Sequence, residues 1–276
     1  MLGRFISYFI GAVFVVTLMF AAFAPRDAVV EDPAHALHKH PRQINWEQGG
    51  AFGTFDRQQL QRGFQVYKEV CAACHGLERI AFRNLQDIGF SEPEVKAIAK
   101  TYEVASIDEK TGEASTRPAV PSDYFPSPYP NEVAARAANN NALPPDLSLI
   151  TKSREDGVNY VHSLLTGYTN PPAGHEVPQG LHFNPYFANL NIAMPPPLAS
   201  EGQVTYAEGQ PQPTVEQMSK DVTAFLDWAA EPKAESRKRT GVAVMIFLLI
   251  LTVLSYLAYR RVWADMKGKG AVRNIA

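Results

Sequence analysis

Two blocks without a formal charge lie near the ends of this 276-residue chain, and they limit what it can fold into. Phe5 to Ala24 (FISYFIGAVFVVTLMFAAFA) and Gly241 to Tyr259 (GVAVMIFLLILTVLSYLAY) are twenty and nineteen residues long. As helices rising about 1.5 Å per residue, each covers roughly the 30 Å of a bilayer's hydrocarbon. The second block is apolar on every face, with Arg237-Lys238-Arg239 before it and Arg260, Arg261 and Trp263 after it. That pattern predicts a transmembrane anchor over 241–259; a core helix would keep one polar stripe. The first block has Arg4 in front and Ala22-Phe23-Ala24 behind, so it reads either as a cleavable secretory signal or as an uncleaved signal-anchor. Its apolar length exceeds the usual signal core of about 7–15 residues and Pro25 would come directly after the cut, which favours the anchor. Both readings export the body of the chain.

The near-neutral composition conceals this layout. The chain carries 26 Lys and Arg against 28 Asp and Glu, but residues 25–232 hold 16 basic and 26 acidic side chains, and residues 233–276 nine basic and two acidic. An acidic exported body on a basic stalk suits a basic protein partner and a bilayer, and disfavours nucleic acid. Basic residues nearly balance across the second block, with Lys233, Arg237, Lys238 and Arg239 before it and Arg260, Arg261, Lys267, Lys269 and Arg273 after it, so charge leaves the orientation open. The expected layout is a signal or anchor over 1–24, a linker over 25–50, a folded body over 51–232, a basic linker over 233–240, the anchor over 241–259 and a tail over 260–276.

Within the body, helical signals dominate. Leu60, Phe64, Tyr67 and Cys71 share one helical face, and Asp56 with Gln59 makes a cap, so a helix runs directly into the first cysteine. Short helices are expected over 92–101, 131–139 and 159–165, with a charged loop between 102 and 119. The run Pro121 to Pro130 and the stretch Pro171 to Pro197 are too rich in proline for central strands or helices and read as ordered loop. Thr214 caps a closing helix over 214–230, with Gln217 completing a capping box and Val215, Met218, Val222, Phe225 and Leu226 on one stripe. Arg26 to Gln48 shows no period and reads as a linker, its His35, His38 and His40 a solvated tract. The fold class is mainly α, with long loops. No internal repeat and no nucleotide-binding glycine pattern occur.

The only two cysteines fall in Cys71-Ala72-Ala73-Cys74-His75. Thiols at i and i+3 at a helix end lie on one side and can add to the two vinyl groups of one haem, while the next residue offers imidazole to the iron. Two rival uses fit less well. A CxxC oxidoreductase needs a strand before the motif, and a structural zinc needs further ligands where no third cysteine exists. Export agrees with a c-type haem, which is attached outside the cytoplasm. For the second axial ligand, Met1, Met19, Met245 and Met266 belong to tails and apolar blocks, and Met218 to a packing stripe. Met194 sits in a loop stiffened by Pro195-Pro196-Pro197, which would hold its thioether in place. A bis-histidine site using His162, His175 or His182 stays open, with a lower potential. Two strong axial ligands make an electron carrier, with no position left for substrate.

These residues resemble the cytochrome c1 family, the haem subunits of cytochrome bc1 complexes, over roughly residues 50–263. Beside CAACH the likeness rests on Ser122-Asp-Tyr-Phe-Pro126, Ala134-Ala-Arg-Ala-Ala-Asn-Asn140, Leu143-Pro-Pro-Asp-Leu-Ser148, Ser163-Leu-Leu-Thr-Gly-Tyr168, Phe183-Asn-Pro-Tyr-Phe187, Ala193-Met-Pro-Pro196 and Trp228-Ala-Ala-Glu-Pro232. The resemblance implies a class I cytochrome c-like haem domain carrying one covalent haem c. It implies Cys71 and Cys74 as thioether attachments, and His75 and Met194 as axial ligands. Asn139, Pro144, Pro145 and Leu147 would line the pocket, and Arg154 would meet a propionate with Tyr160 nearby; read alone, Arg154 beside Glu155 and Asp156 fits a surface ion pair equally. It further implies a bacterial cytoplasmic membrane, the haem domain in the periplasm and the C-terminus in the cytoplasm. The implied partners, in a dimeric complex, are cytochrome b, a Rieske iron-sulfur protein as electron donor and a basic cytochrome c as acceptor. With two cysteines in all, the extra disulfide of some bacterial members cannot form. A cytochrome subunit of another respiratory complex, and a non-haem assembly protein using its thiols for zinc or redox exchange, are the competing functions.

Overall fold

The computed structural model describes residues 2–23 and 36–272, with side chains over 5–23 and 36–264. The cleavage position after Ala24, His35, residues 25–35 of the expected linker and the last residues from Arg273 lie outside the described residues. The chain divides into two units, one up to Leu37 and one from His38.

In the first unit, α1 (Leu2–Phe23) exposes every described side chain, and its stretch Phe5–Phe23 is long and apolar enough to cross a membrane. The second unit runs through α2 (Arg57–Val66), a π-helical turn (Tyr67–Cys71), a 3-10 helix (Phe82–Ile88), α3 (Glu92–Ala99), β1 (Glu103–Ile107), β2 (Ala114–Pro118), α4 (Glu132–Ala138), α5 (Gly157–Thr166), β3 (His182–Phe183), β4 (Asn191–Ile192), α6 (Val215–Ala230) and α7 (Ala234–Val272). It is mainly helical, as expected.

Packing of α2 on α6 builds the core. The helices cross at Gly63, where a Cβ would lie 2.1 Å from the Asp221 carbonyl oxygen and 2.6 Å from the Phe225 Cβ, so only glycine permits this approach. The predicted stripe of α6 faces inward, with Met218, Val222 and Phe225 fully buried and Leu226 nearly so. Around Phe225 gather Phe64 and Tyr67, with ring centroids 5.6 and 5.8 Å away. Burying these aromatic and aliphatic side chains contributes about 1.5–3 kcal/mol each, relative to exposure. Inside the same interface Arg62 donates to both carboxylate oxygens of Asp221 (2.9 and 3.2 Å) and to Gln210 (2.6 Å).

Local signals account for the helix starts. Asp56 accepts from Gln58 N (2.9 Å) and Thr214 from Gln217 N (3.1 Å), each satisfying an orphan amide of a first turn. The expected capping box at Thr214 is not formed in full, because the Gln217 side chain turns to Asp221 instead (2.8 Å) and joins the Arg62 network. Asn131 caps α4, and Asn140 and Asn141, both left-handed (φ 50° and 64°), close it as the asparagine cluster predicts.

Two expectations fail. The stretch between Tyr102 and Ala119 is an antiparallel hairpin with Glu103 opposite Pro118 and Ile107 opposite Ala114. β1 alternates exposed and half-buried residues, but Val104 and Ser106 take the half-buried positions while Ile107 is exposed, and β2 is exposed except at Arg117, so no apolar alternation announces the hairpin. The linker ends well before Gly50. Lys39 N donates to the Pro185 carbonyl (2.8 Å), Arg42 N to Ser163 (2.8 Å), Trp46 Nε1 to Asn159 (2.7 Å) and Gln48 to Asp227 (3.2 Å). Residues 38–48 therefore form a strap across α5 and α6, held by side chains with no periodicity to betray it. His38 and His40 lie on this strap, their rings 6.4 Å apart edge to face.

α7 begins one residue after the Lys233 that succeeds Pro232, and its stretch Ala234–Ala264 is long and apolar enough to cross a membrane, with none of its most apolar window buried. Its foot is tied to the body. Glu235 accepts from Phe55 N (2.7 Å) and Arg57 (2.8 Å), while Glu231 pairs with Arg237 and, at 2.5 Å, with Lys152. These cations hold the Glu231 carboxyl down to about 2.

Candidate functional site

α2 brings Leu60 and Phe64 inward and Tyr67 follows at the start of the π-turn, where the chain widens and Ala72 N donates to the Tyr67 carbonyl (2.8 Å). One wider turn lifts Cys71 from the buried stripe to a half-buried rim. Cys74 N and His75 N both fold back onto the Cys71 carbonyl (3.1 and 2.9 Å), so the two thiols and the imidazole occupy a single turn. No disulfide joins the two cysteines. Burial, with Cys74 adding to it, pushes the Cys71 thiol up to about 12.

A second segment braces this turn. His75 Nδ1 lies 2.7 Å from the Pro145 carbonyl oxygen, which can only accept, so Nδ1 carries the proton and Nε2 is left with a free lone pair. Tyr67 donates its hydroxyl to the His75 carbonyl (3.1 Å), and Leu147 N donates to the Gly76 carbonyl (2.9 Å). Asp146 accepts from Glu78 N (2.8 Å) with one oxygen and from Ser148 N (2.9 Å) with the other, and Ser148 Oγ accepts from Arg79 N (3.1 Å). Sequence reasoning misses Asp146, Ser148 and Tyr67 as site builders; the one signal for them is the Asp-Leu-Ser order, which suits an Asx turn.

The expected site residues fall into two groups. Cys74, Pro144 and Pro145 line one cleft of about 360 Å³ together with Tyr129, Leu143 and Asp146. Leu147 is buried behind it, and Asn139 reaches it through Tyr129, donating to that hydroxyl (2.9 Å) and to the Ala135 carbonyl (2.7 Å). The second group gathers around Tyr168, which donates its hydroxyl to the Met194 carbonyl (3.1 Å). The half-buried Met194 comes just after β4, which pairs with β3 and precedes the three prolines. Burial raises the Tyr168 and Tyr160 hydroxyls, with Tyr160 adding to the former and Arg154 opposing the latter, so Arg154, Tyr160, Tyr168 and Met194 form a chain of neighbours. Among the described residues Arg154 makes no ion pair with Glu155 or Asp156. No described contact joins Met194 to His75.

His162 drops out of the bis-histidine alternative. It is fully buried, its Nδ1 is 3.0 Å from Ser219 Oγ and its Nε2 2.8 Å from Glu216, so neither nitrogen is free for a metal. His175 is engaged with Asn191 (3.1 Å) and packs on Phe183 at 5.0 Å. Met218 is a core residue, as its stripe implies.

The donor set fits a c-type haem. Two thiols on one turn, an imidazole presenting Nε2, and a flanking cleft of prolines, tyrosine and leucine answer two vinyl groups, an iron and a macrocycle edge. It does not fit the thiol alternatives. A CxxC oxidoreductase has a strand before its motif, whereas α2 and the π-turn lead into Cys71 here. Among the described residues no group of three or more His, Cys, Asp and Glu side chains is placed to hold a zinc ion.

Comparison with known sequences decides the family. The profile of the Cytochrome C1 family matches residues 46–266. The chain belongs to the cytochrome c1 family. Cytochrome c1-2, heme protein, mitochondrial, of Solanum tuberosum is 48% identical over 231 residues, 83% of this chain and 88% of that protein. Cytochrome c1, heme protein, mitochondrial, of Saccharomyces cerevisiae is 46% identical over 241 residues, 87% of this chain and 77% of the yeast protein. Cytochrome b/c1 of Bradyrhizobium diazoefficiens is 49% identical over 247 residues, which are 82% of this chain but only 36% of that longer protein. As a member of that family the chain carries its haem c covalently, and CxxCH is the motif for that attachment.

Proposed function

We propose that this chain is the electron-transfer subunit of a membrane-bound quinol–cytochrome c oxidoreductase, taking electrons from a Rieske iron-sulfur protein and passing them to a basic cytochrome c. The observation that carries the reading is the His75 ring, locked by the Pro145 carbonyl with Nε2 free, in the same turn as both thiols. Cys71 and Cys74 would hold the haem, His75 Nε2 and the Met194 thioether would be its axial ligands, and Asn139, Pro144, Pro145 and Leu147 its walls. Arg154, beside the Tyr160 hydroxyl and out of any described ion pair, would meet a propionate. When bound, the haem supplies a one-electron couple; the protein contributes the ligands, the low-dielectric wall and the docking charge. Both axial positions filled by protein make the chain a carrier that acts as an enzyme only within its complex. A class I cytochrome c-like arrangement agrees with the helix before the motif, the methionine loop far along the chain and the helix that closes the body.

Cytochrome b is the expected neighbour of α7, supported by the name of the Bradyrhizobium relative, and the acidic body over 25–232 suits a basic acceptor. The reading puts the haem domain in the periplasm of a bacterial cytoplasmic membrane, the tail in the cytoplasm, and the subunit in a dimeric complex. Purification through a tag on this chain should yield a complex that reduces cytochrome c with quinol in an antimycin-sensitive reaction. An intact preparation that holds the haem-loaded chain and lacks that activity would contradict the reading.

A further inference from the structure

α7 leaves the body at a fixed height. Lys238 donates from Nζ to the Gln48 carbonyl (2.5 Å) and to the Gly53 carbonyl (3.1 Å), and one turn earlier Glu235 holds Phe55 N and Arg57. The uncharged run begins at Gly241, so at ~1.5 Å per residue Lys238 stands about 5 Å outside it. The loop 48–55 is thereby pinned at the level where a spanning α7 passes the lipid headgroups.

At the tip of that loop, Gly49-Gly50-Ala51-Phe52-Gly53, Phe52 is 84% exposed, more than any other large apolar side chain described outside the two apolar helices. Gly50 is left-handed (φ +69°), and a Cβ on Gly53 would fall 2.0 Å from the Gly49 carbonyl oxygen, so the backbone folds tightly on itself and leaves the ring in the open. A phenylalanine held this way in water forgoes about 1.5–3 kcal/mol of burial.

The two ends of the span differ. At the far end Tyr259 and Trp263 stand with ring centroids 6.3 Å apart, an aromatic pair suited to an interface. At the near end Ala234 to Thr240 has basic residues and no aromatic one. We propose that Phe52 supplies the missing anchor: its ring inserts at the headgroup–acyl boundary of the lipid bilayer, with Lys238 and Arg239 beside it at the level of anionic headgroups. The occupant is lipid and not a protein subunit. Only Ala51 and glycines flank the ring, which is far too little apolar surface for a protein interface, whereas one aromatic side chain beside basic charges is what an interface of lipid takes. The inference rests on the reading of α7 as membrane-spanning.

The test uses the full haem-loaded chain in vesicles of phosphatidylcholine and phosphatidylglycerol. Both native cysteines are then consumed as thioethers, so a nitroxide can be placed on Phe52→Cys, on its neighbour Ala51→Cys, at mid-span on Leu249→Cys, and on the hairpin at Glu109→Cys. Accessibility to dissolved oxygen is compared with accessibility to a water-soluble nickel chelate. Labels at 51 and 52 should be severalfold better protected from nickel than the label at 109, and less than the one at 249. Nickel access at 51 and 52 equal to that at 109, with 249 protected, overturns the proposal and leaves the span intact. Nickel access at 249 as well overturns the span and the proposal together. Protection at 52 that appears only in the assembled complex would identify a protein occupant and overturn it also.

Discussion

The α2–α6 pair and the CxxCH cleft are held together in opposite ways. The helix pair is a contact of continuous surfaces, where Gly63 admits the Asp221 backbone, Met218, Val222 and Phe225 are fully buried, and one ion pair is sealed inside. The cleft is a set of single stitches, Pro145 to His75, Leu147 to Gly76 and Asp146 to Glu78, and the separate Met194 loop is held by one more, from Tyr168. Core packing distributes stability over many atoms, whereas each stitch fixes one atom in position. Damage to the first should therefore show as stability and damage to the second as a change in the ligands of the iron.

The largest effect is expected in the core. Asp221→Ala leaves the Arg62 guanidinium, with a side chain only 10% exposed, without its carboxylate. Denaturant unfolding of the holoprotein should show a loss of about 3–5 kcal/mol, with the reduction potential of whatever remains folded little changed. A loss below about 1 kcal/mol would mean that Gln210 and Gln217 alone satisfy the site. Met194→Leu should reverse the pattern. The near-equal volume spares the packing, but loss of the thioether should lower the potential strongly in a spectroelectrochemical titration. An unchanged midpoint would remove Met194 from the ligand set.

Between these lies His162, which belongs to the core side of the comparison. Burial holds its imidazole below the ordinary 6.5, Arg42 and Lys220 lower it further, and Glu216 pulls the other way. The unfolded chain takes up a proton at about pH 6.5 that the folded protein refuses, so stability is full above that pH and declines as pH falls below it toward the folded value. His162→Gln should flatten that decline in unfolding curves recorded across the acid side; an unaltered slope would assign it to other groups. Tyr67→Phe removes the hydroxyl donated to the His75 carbonyl and should cost about 0.5–1.5 kcal/mol. The smallest effect is expected from Lys96→Ala, whose exposed partner Glu92 lies four residues away at 2.6 Å, and the change should stay within about 0.5 kcal/mol.

The same division explains which features are legible in the residues alone. Leu60, Phe64 and Tyr67, and the stripe of α6, repeat at helical spacing because a continuous surface demands it, so their burial is predictable. The caps at Asp56, Asn131 and Thr214 are legible because an orphan amide selects a few side chains. The cleft has no period. CAACH identifies one wall, but Pro145, Asp146 and Tyr168 act through a carbonyl, an Asx turn and a lone hydroxyl, which no spacing encodes; the likeness to the cytochrome c1 family is what points to the pocket residues. The 38–48 strap escapes for the same reason, since Arg42, Trp46 and Gln48 are held by individual polar contacts to α5 and α6 that follow no spacing. The hairpin escapes because its half-buried positions mix Val104 with Ser106 and Arg117 while Ile107 faces out, so apolar and polar residues do not alternate along it.

The central claim is tested most directly by asking whether one haem is bonded to Cys71 and Cys74. The purified chain should be denatured, extracted with acidified acetone, and probed by pyridine haemochrome spectrum and intact mass. The expected result is pigment that stays with the polypeptide, shows the band of a haem whose vinyl groups are saturated, and adds the mass of one haem, with all three lost in the Cys71→Ala/Cys74→Ala double variant. Pigment that extracts freely, or a chain whose mass is that of the bare polypeptide, would contradict it.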